Sequence, residues 1–414
     1  GHEAACITYL RNLLAEAGIP SEVFALDPER PSLVARLRGS GDAPPLLLYG
    51  HVDVVTTVNQ TWQHPPFGAE IHDGMIWGRG ALDMKGGVAM LVAAFLRVKA
   101  ENTPLPGDVI LAIVPDEEAG GSQGAGFMVA QHPEQFAGVR YALGEFGGFT
   151  LALGGRTFYP IMVAEKQICQ TRVTVRGQGG HGSMPVRGGA MARLSRLLRR
   201  LDQQRLPTHI TPTVHDMLTI MADAVGGATG LVLRQLLNPR LTETALGAMG
   251  ERGRVFEPLT RNTVSPTIIA ASDKINVIPS TITVDLDGRL LPGQTPDDML
   301  RELRAVLGSE AELDVVAFEP GPARVDMGFF DVLGGVLKAA DPTGIPVPLL
   351  LSGVTDGRFF SRLGIQTYGF TPMKLPPEFA FTRAIHAADE RIPVEAVGFG
   401  ADALFAAIQK PRAG

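Results

Sequence analysis

Two strand-length runs of uninterrupted apolar residues, separated by a helical segment, restrict the folds open to this chain. PLLLYG (45–50) and DVILAIV (108–114) lack the alternation of a half-exposed strand, and GGVAMLVAAFLRVKAE, between them, predicts a helix from about Val88. A strand that is apolar on both sides must be covered on both faces. We therefore predict an α/β fold with a mostly parallel sheet and helices on both faces.

The pattern changes in the middle of the chain. Strands that alternate polar and apolar residues are predicted at 167–177, 281–293 and 311–320, and amphipathic helices at 190–204 and 295–308. Such segments are typical of an antiparallel sheet with one exposed face. The expected organisation is one α/β domain made from residues 1–167 and 321–414, with a second, α+β domain inserted at 168–320. Residues 214–262 form a less regular, partly helical insertion.

Composition excludes several classes of protein. The chain has 414 residues, 45% hydrophobic and 19% charged, with a net charge of −6 and no basic stripe that would indicate nucleic acid or an anionic membrane. No apolar run approaches the roughly 20 residues of a membrane span. Two distant cysteines, Cys6 and Cys169, favour a reducing compartment and a cytoplasmic location. The chain begins with GHEAAC rather than Met, so an upstream targeting segment stays open.

Polar side chains follow the predicted strands, where functional groups of parallel sheets gather. They are His51, Asp53, Asp83, Glu117, Glu118, Glu145 and His386. Histidines with several carboxylates suit Zn²⁺, Co²⁺ or Mn²⁺, and the surplus of carboxylates suggests two ions that share one of them. Each residue alone also has an ordinary structural alternative: a hydrogen-bonded histidine, a solvated glutamate pair or an aspartate in a glycine turn.

Seven motifs, in this order, resemble those of a dinuclear zinc peptidase and amidohydrolase family. They are YGHVDVV, GRGALDMKGG, PDEEAGG, GEFGG, GGHGSMP, KINVIPSTITVDLDGRLLPG and IHAADERI. The family includes glutamate carboxypeptidase, carboxypeptidase S, aminoacylases, acetylornithine deacetylase and succinyl-diaminopimelate desuccinylase. The likeness covers nearly the whole chain, and the segment from TWQHPPFG to GRGALDMKGG is most similar to the carboxypeptidase S branch.

The resemblance implies a role for each residue at the strand ends. Two Zn²⁺ ions per subunit, or Co²⁺ or Mn²⁺, are expected on His51, Asp83, Glu118, Glu145 and His386, with Asp83 as the bridging carboxylate. Asp53 is expected to orient His51, and Glu117 to act as the general base. The resemblance also implies a cis peptide bond between Asp83 and Met84.

Four further residues are implied to meet the substrate. His181 resembles a lid histidine that reaches the active site of a neighbouring subunit, which implies a homodimer formed through the inserted domain. Asn276 and Arg289 resemble residues that hold a substrate carboxylate, and Arg358 matches another position near the substrate. The alternatives are that Arg289 pairs with an aspartate of its own strand and that His181 caps the following helix.

The function that these motifs imply is hydrolysis of a peptide or N-acyl bond next to a free carboxylate, as in a carboxypeptidase or N-acyl-amino-acid hydrolase. Glu117 would accept the proton of a metal-bridged water. A small-metabolite deacylase is the nearest alternative, and an aminopeptidase is disfavoured by Arg289 and Arg358. A non-catalytic binding protein on the same fold is a remote alternative, because no expected ligand is missing. The expected partners are a small peptide or an N-acyl amino acid, without nucleic acid or membrane.

Overall fold

A computed structural model describes residues 2–322 and 324–412, apart from the side chain of Arg252. The strands are β1 (Ser21–Phe24), β2 (Ser32–Leu37), β3 (Leu46–His51), β4 (Ile71–His72), β5 (Met75–Trp77), β6 (Val109–Val114), β7 (Tyr141–Gly144), β8 (Leu151–Leu153), β9 (Arg156–Glu165), β10 (Gln167–Arg176), β11 (Gly180–His181), β12 (Thr263–Ala270), β13 (Val277–Ile278), β14 (Thr281–Leu290), β15 (Glu312–Glu319), β16 (Gly344–Leu351), β17 (Gln366–Gly369) and β18 (Arg391–Pro393).

The α-helices lie between these strands. They are α1 (Ala4–Glu16), α2 (Lys85–Ala100), α3 (Ala125–Gln131), α4 (Ala190–Gln203), α5 (Pro212–Val225), α6 (Gly227–Gln235), α7 (Thr242–Met249), α8 (Pro296–Leu307), α9 (Phe330–Ala340), α10 (Gly357–Phe360), α11 (Phe381–Ala384) and α12 (Val394–Ile408). Short 3₁₀ turns connect several of them, and one of these turns holds Glu117 and Glu118.

The large sheet has the strand order β1-β2-β6-β3-β7-β17-β9-β16, with β8 paired to β9. Strands β6, β3, β7 and β17 run parallel, as do β9 and β16, whereas β1, β2 and β8 pair antiparallel with their neighbours. Every residue of β3, β6 and β7 is buried, which is why their sequences show no alternation. This parallel-containing sheet with flanking helices confirms the predicted α/β fold class.

Helix α2 begins at Lys85, before the predicted start at Val88. The two glycines of its first turn are required by close packing. A Cβ atom on Gly86 would lie 2.2 Å from the main-chain oxygen of Ala81, and one on Gly87 would lie 3.1 Å from the Thr371 side chain. The prediction was therefore wrong about this start, because the glycines belong inside the helix.

A second sheet, antiparallel throughout, has the order β12-β14-β10-β15. Strand β14 alternates strictly between buried and half-buried residues. Its buried side chains pack with helices α4 and α8 in a separate core, for example Val284 and Leu286 with Leu197 and Leu303. Beside this sheet, β11 and β13 form a two-stranded ribbon.

The helical segment at the centre of the predicted lid packs on the large sheet. Helix α5 buries Val214, Met217, Leu218 and Met221, which line one face of a helix. These side chains belong to the core that contains β9 and β16. The chain crosses between the sheets near 165–167 and again after Glu319, close to the predicted limits of 168–320. The division into domains stays a prediction.

None of the helices in the described part of the chain is long and apolar enough to cross a membrane.

Candidate metal centre

The polar residues expected at the strand ends meet at one edge of the large sheet. His51 is the last residue of β3, Glu117 and Glu118 follow β6, and Glu145 follows β7. Because β6, β3 and β7 are adjacent and parallel, their carboxyl ends lie side by side. Asp83 lies two residues before the first residue of α2. Its peptide bond with Met84 is cis, as the resemblance implied.

One set of possible ligands consists of His51, Glu117 and Glu145, whose ligand atoms all lie within 4.8 Å of one another. His51 Nε2 is 3.5 Å from Glu145 Oε2, and the histidine is only 1% exposed. A second set consists of Asp83, Glu118 and His386, within the same limit. His386 Nε2 is 3.0 Å from Glu118 Oε1.

Asp83 lies between the two sets. Its Oδ1 atom is 3.1 Å from His51 Nε2, and its Oδ2 atom is 3.2 Å from His386 Nε2. Each carboxylate oxygen thus faces a different histidine. This is the arrangement that a carboxylate shared by two ions requires.

Asp53 contacts both His51 and the turn that carries Glu117 and Glu118. Its Oδ1 atom is 3.4 Å from His51 Nδ1, on the far side of the ring from Asp83. The two carboxylate oxygens also accept the main-chain N–H groups of Glu117 and Glu118, at 3.2 and 3.0 Å. Asp53 therefore fixes both the histidine ring and the turn that carries the two glutamates.

The close carboxylates perturb one another strongly. Burial, together with the charges of Glu145 and Asp356, raises the pKa of Glu117 to about 10. Burial likewise raises the pKa of Glu145. Hydrogen bonds to Asp83 and Glu118 raise the pKa of His386 to about 10. The protein thus concentrates negative charge that protons or cations must balance.

The donor set fits divalent metal ions. Imidazole nitrogens and carboxylate oxygens are the ligands that Zn²⁺ takes from proteins, and Mn²⁺ and Co²⁺ accept them too. In addition, Glu145 Oε1 is buried without a hydrogen-bond partner among the described residues. A buried, unpartnered carboxylate oxygen costs free energy unless a cation or donor meets it.

The predicted lid residues His181 and Asn276 lie outside this cluster. Both are exposed, on or next to the β11–β13 ribbon. Over the parts of the chain that the structure describes, the side-chain hydrogen bonds of His181 are local ones, to the hydroxyl and the main-chain N–H of Ser183. The main-chain oxygen of Asn276 accepts a hydrogen bond from Gly182, which ties the two strands of the ribbon.

Arg289 pairs with a carboxylate of its own strand. Its Nε and Nη2 atoms donate to the Asp287 carboxylate at 2.8 and 3.2 Å. This ion pair is the alternative that the sequence left open. However, Nη1 of Arg289 is buried and has no hydrogen-bond partner within residues 2–322 and 324–412. One face of the guanidinium thus still lacks an acceptor.

Arg358 lies next to the predicted base and is almost fully buried. Its guanidinium donates to Glu319 Oε2 at 3.1 Å, to the main-chain oxygen of Gly120 at 2.8 Å and to that of Thr355 at 2.8 Å. Nη1 also lies 3.9 Å from Glu117 Oε1. Arg358 therefore joins Glu319, the last residue of strand β15 in the second sheet, to the turn of the two glutamates.

Two buried acids at this edge were missed by the sequence analysis. Glu390 accepts the N–H groups of Leu82 and Asp83 at 2.8 and 3.2 Å and pairs with Arg79, so it fixes the loop of Asp83. Asp356 is buried beside Glu117, and burial raises its pKa well above the ordinary value. Glu390 lies in the IHAADERI motif, and Asp356 lies two residues before Arg358. Their nearness in sequence to His386 and Arg358 was the one signal that could have identified them as site residues.

Comparisons with known proteins find relatives that align with most of the chain. A 29% identical relative, the human N-fatty-acyl-amino acid synthase/hydrolase PM20D1, aligns over 94% of this chain and 76% of its own length. The probable carboxypeptidase S-like 2 of Dictyostelium discoideum is 27% identical over 88% of this chain and 71% of its own length.

Among solved structures, the metallo-carboxypeptidase Sso-CP2 from Sulfolobus solfataricus has the same fold. It superposes with a TM-score of 0.68 at 18% identity, covering 98% of this chain and 93% of the other. A sequence model described as peptidase family M20/M25/M40 matches residues 47–410. The protein is thus a metal-dependent hydrolase that belongs to the peptidase family M20/M25/M40.

Proposed function

We propose that the protein hydrolyses the amide bond of a small peptide or an N-acyl amino acid, next to a free carboxylate. The observation that carries the proposal is the position of Asp83, with one oxygen beside His51 and the other beside His386. The names of the relatives, an N-fatty-acyl-amino acid hydrolase and a carboxypeptidase S-like protein, support this class of substrate.

The proposed metal centre takes two divalent ions. His51 and Glu145 would hold the first, Glu118 and His386 the second, and Asp83 would be shared. Zn²⁺ is the ion we expect, with Co²⁺ or Mn²⁺ as alternatives. When bound, such ions lower the pKa of water and polarise the carbonyl group of the substrate.

Glu117 is the proposed general base. It belongs to the first set of possible ligands, but Asp83 can take its place there, because Asp83 Oδ1 lies 3.1 Å from His51 Nε2. It accepts a proton from the attacking water and returns it to the leaving amine. Asp53 holds the main-chain N–H groups of Glu117 and Glu118, so it keeps the base on the substrate side of His51.

Arg289 and Asn276 are the residues we propose for the substrate carboxylate. The buried Nη1 atom of Arg289 supports this, because it is a donor that still lacks an acceptor in the described structure. A substrate carboxylate in that position would make a charge-assisted hydrogen bond. Contact of Arg358 with the substrate stays a prediction. Its guanidinium already donates hydrogen bonds to Glu319 and to the main-chain oxygens of Gly120 and Thr355.

We further propose that the protein works as a homodimer in which His181 serves the partner's active site. Strand β12 is one edge of the lid sheet and exposes Ile268 and Ile269, and Val277 is exposed on the neighbouring ribbon. Exposed apolar residues on an unpaired edge strand favour association with another chain. His181 lies opposite Val277 on that ribbon, so an interface there would carry it to a second subunit. The cytoplasmic location, expected from two unpaired cysteines, also stays a prediction.

The test is hydrolysis of a panel of dipeptides, N-acyl amino acids with apolar side chains, and N-acetyl and N-succinyl diamino acids, with metal content measured on the same preparation. We expect turnover of the dipeptides or of the N-acyl amino acids, and loss of turnover on chelation. Turnover of the N-acetyl or N-succinyl diamino acids alone would favour the small-metabolite deacylase. Active protein without a divalent ion would refute the proposed centre.

A further inference from the structure

A second cluster of metal-ligating side chains lies outside the centre described above. His64 stands in the loop before the β4–β5 hairpin, Glu70 directly precedes β4 and His72 ends it. One ligand atom from each lies within 4.8 Å of the other two. We propose that His64, Glu70 and His72 bind a third divalent ion, of the zinc or copper class.

The distances are close to those of a metal site. Glu70 Oε2 is 2.8 Å from His72 Nε2 and 3.5 Å from His64 Nδ1. With metal–ligand bonds of about 2.0–2.2 Å in a tetrahedral site, neighbouring ligand atoms lie about 3.3 Å apart. The Glu70–His64 pair already has that spacing. The Glu70–His72 pair must open by about half an ångström, which exposed side chains can do.

The backbone holds the three side chains together. Glu70 and His72 are two residues apart on an extended segment, so they project from the same face. The main-chain N–H of Trp77 donates to the main-chain oxygen of Glu70 at 2.9 Å, so the hydrogen bonding of the hairpin extends to Glu70. Asp73 and Gly74 form the turn with positive φ angles of 50° and 73°, as a two-residue hairpin loop requires.

His64 is positioned by packing. Its ring stacks on that of His72, with centroids 3.9 Å apart and planes 18° from parallel, and its edge contacts Trp77. Pro65 and Pro66 follow it and restrict the loop. The lone pair of an imidazole nitrogen lies in the ring plane, so the two rings must tilt out of this stack to share one cation. Their proximity brings both nitrogens within reach of the Glu70 carboxylate.

The chemistry of the set suits an ion of this class. Two imidazoles and one carboxylate form a known donor set for zinc, and the Irving–Williams order predicts tighter binding of Cu²⁺. The side chains of His64, Glu70 and His72 are 26%, 43% and 43% exposed, so an ion can enter and water can complete its coordination. The competing explanation is a plain hydrogen bond between Glu70 and His72, which does not require His64 to be near.

An ion here would tie the loop to the hairpin. None of its three side chains belongs to the proposed catalytic centre, although the main-chain N–H of Gln63 donates to Asp389 Oδ1 at 2.8 Å, near His386. Strand β5 pairs with β18, and the Arg391 guanidinium lies 4.5 Å from the centroid of the Trp77 ring. We therefore expect the ion to stabilise this segment while hydrolytic activity stays unchanged. Activity then serves as an internal check that the catalytic ions remain bound.

The experiment counts metal ions per chain in the metal-loaded enzyme, after equilibration at one buffered free Zn²⁺ concentration. His64→Ala, His72→Ala and Glu70→Gln are compared with the wild type. The matched control is His215→Ala, since His215 is exposed and pairs with Asp216 at 3.2 Å. We expect one ion fewer in the two histidine variants, a weakened third ion in Glu70→Gln, and no change in the control.

Electron paramagnetic resonance of added Cu²⁺ gives a second measurement. The wild type should show hyperfine coupling to two imidazole nitrogens, and each histidine variant should show the loss of one. Circular dichroism checks folding, and His72→Gln replaces any His72→Ala protein that fails to fold. Equal zinc content in all folded variants, or a copper signal that the substitutions leave unchanged, would overturn the proposal.

Discussion

The strand ends of the large sheet and the β11–β13 ribbon differ in how far their predicted residues are assembled. At the strand ends, His51 Nε2 already lies 3.1 Å from Asp83 Oδ1 and 3.5 Å from Glu145 Oε2. On the ribbon, His181 is exposed and bonded to Ser183 beside it in sequence. One region is organised within the subunit, whereas the other presents its histidine to solvent. In the proposed dimer, metal binding would need one chain, whereas substrate turnover would need two.

The largest expected effect lies at the strand ends. Glu117→Gln removes the proposed base while keeping the shape of the side chain, so turnover should fall by about 10²–10⁴-fold with metal content unchanged. Glu118→Gln is the matched control on the neighbouring residue, and it should lose metal first. Steady-state kinetics and metal analysis measure both. If Glu117→Gln keeps more than about a tenth of the turnover, Glu117 is not the base.

The ribbon should give the next largest effect. His181→Ala removes a proposed donor to the oxyanion, and we expect kcat to fall by about 10²–10³-fold. Mixing this variant with Glu117→Gln, after dissociation and reassembly, should restore about a quarter of the wild-type activity, because one site of each mixed dimer has both groups. If labelled subunits exchange and the mixture remains inactive, His181 does not act in the active site of the partner subunit.

Substrate recognition should show a smaller effect. Arg289→Ala should lower kcat/KM by about ten- to a hundred-fold, mainly through KM, since a hydrogen-bonded ion pair contributes about 1.5–3 kcal/mol. Arg172→Ala is a close control, because Arg172 pairs with Asp285 in the same sheet through Nε and Nη2. Amidated substrates should respond little to either change. Equal losses on free and amidated substrates would indicate a structural role for Arg289.

The smallest expected effect concerns Lys166, at the crossing between the sheets. Burial, with Arg289 and Arg261 nearby, lowers the pKa of Lys166 to about 7 from its ordinary 10.5. Between these values the unfolded chain binds a proton that the folded protein does not, so stability should rise with pH above about 7. The gain should be at most about 2 kcal/mol between pH 7 and 9.

Lys166→Met should remove this rise, whereas Lys338→Met, at an exposed position, should keep it. Denaturant unfolding at several pH values measures the difference. A rise of equal size in Lys166→Met would assign the pH dependence to other groups.

The strand ends could be predicted because their runs are short and wholly apolar. A run such as PLLLYG, too short for a typical helix and ending in Gly50, favours a buried strand, and the next polar residue, His51, then lies at its end. To predict that these residues converge, one must know the order of the strands in the sheet, which a single sequence does not give. The resemblance to a family supplied that order.

Other features depend on partners that are distant in sequence. Glu390 binds the main chain of Asp83 from 307 residues away. Helix α5 lies inside the predicted lid, yet its apolar stripe packs on the large sheet, and its sequence alone predicts a buried face without saying against what. The sequence analysis made no prediction for residues 156–165, which form strand β9 of the large sheet.

The contact of Glu390 with the Asp83 loop also bears on the order in which the protein is made. Because synthesis runs from the N-terminus, a ribosome completes His51, Asp83, Glu117, Glu118 and Glu145 long before Glu390 and His386 emerge. Until then the carboxylates have neither the second histidine nor the acid that holds their loop. The growing polypeptide therefore carries an unfinished cluster of negative charge, and any ion captured early has to be held by an incomplete set of ligands.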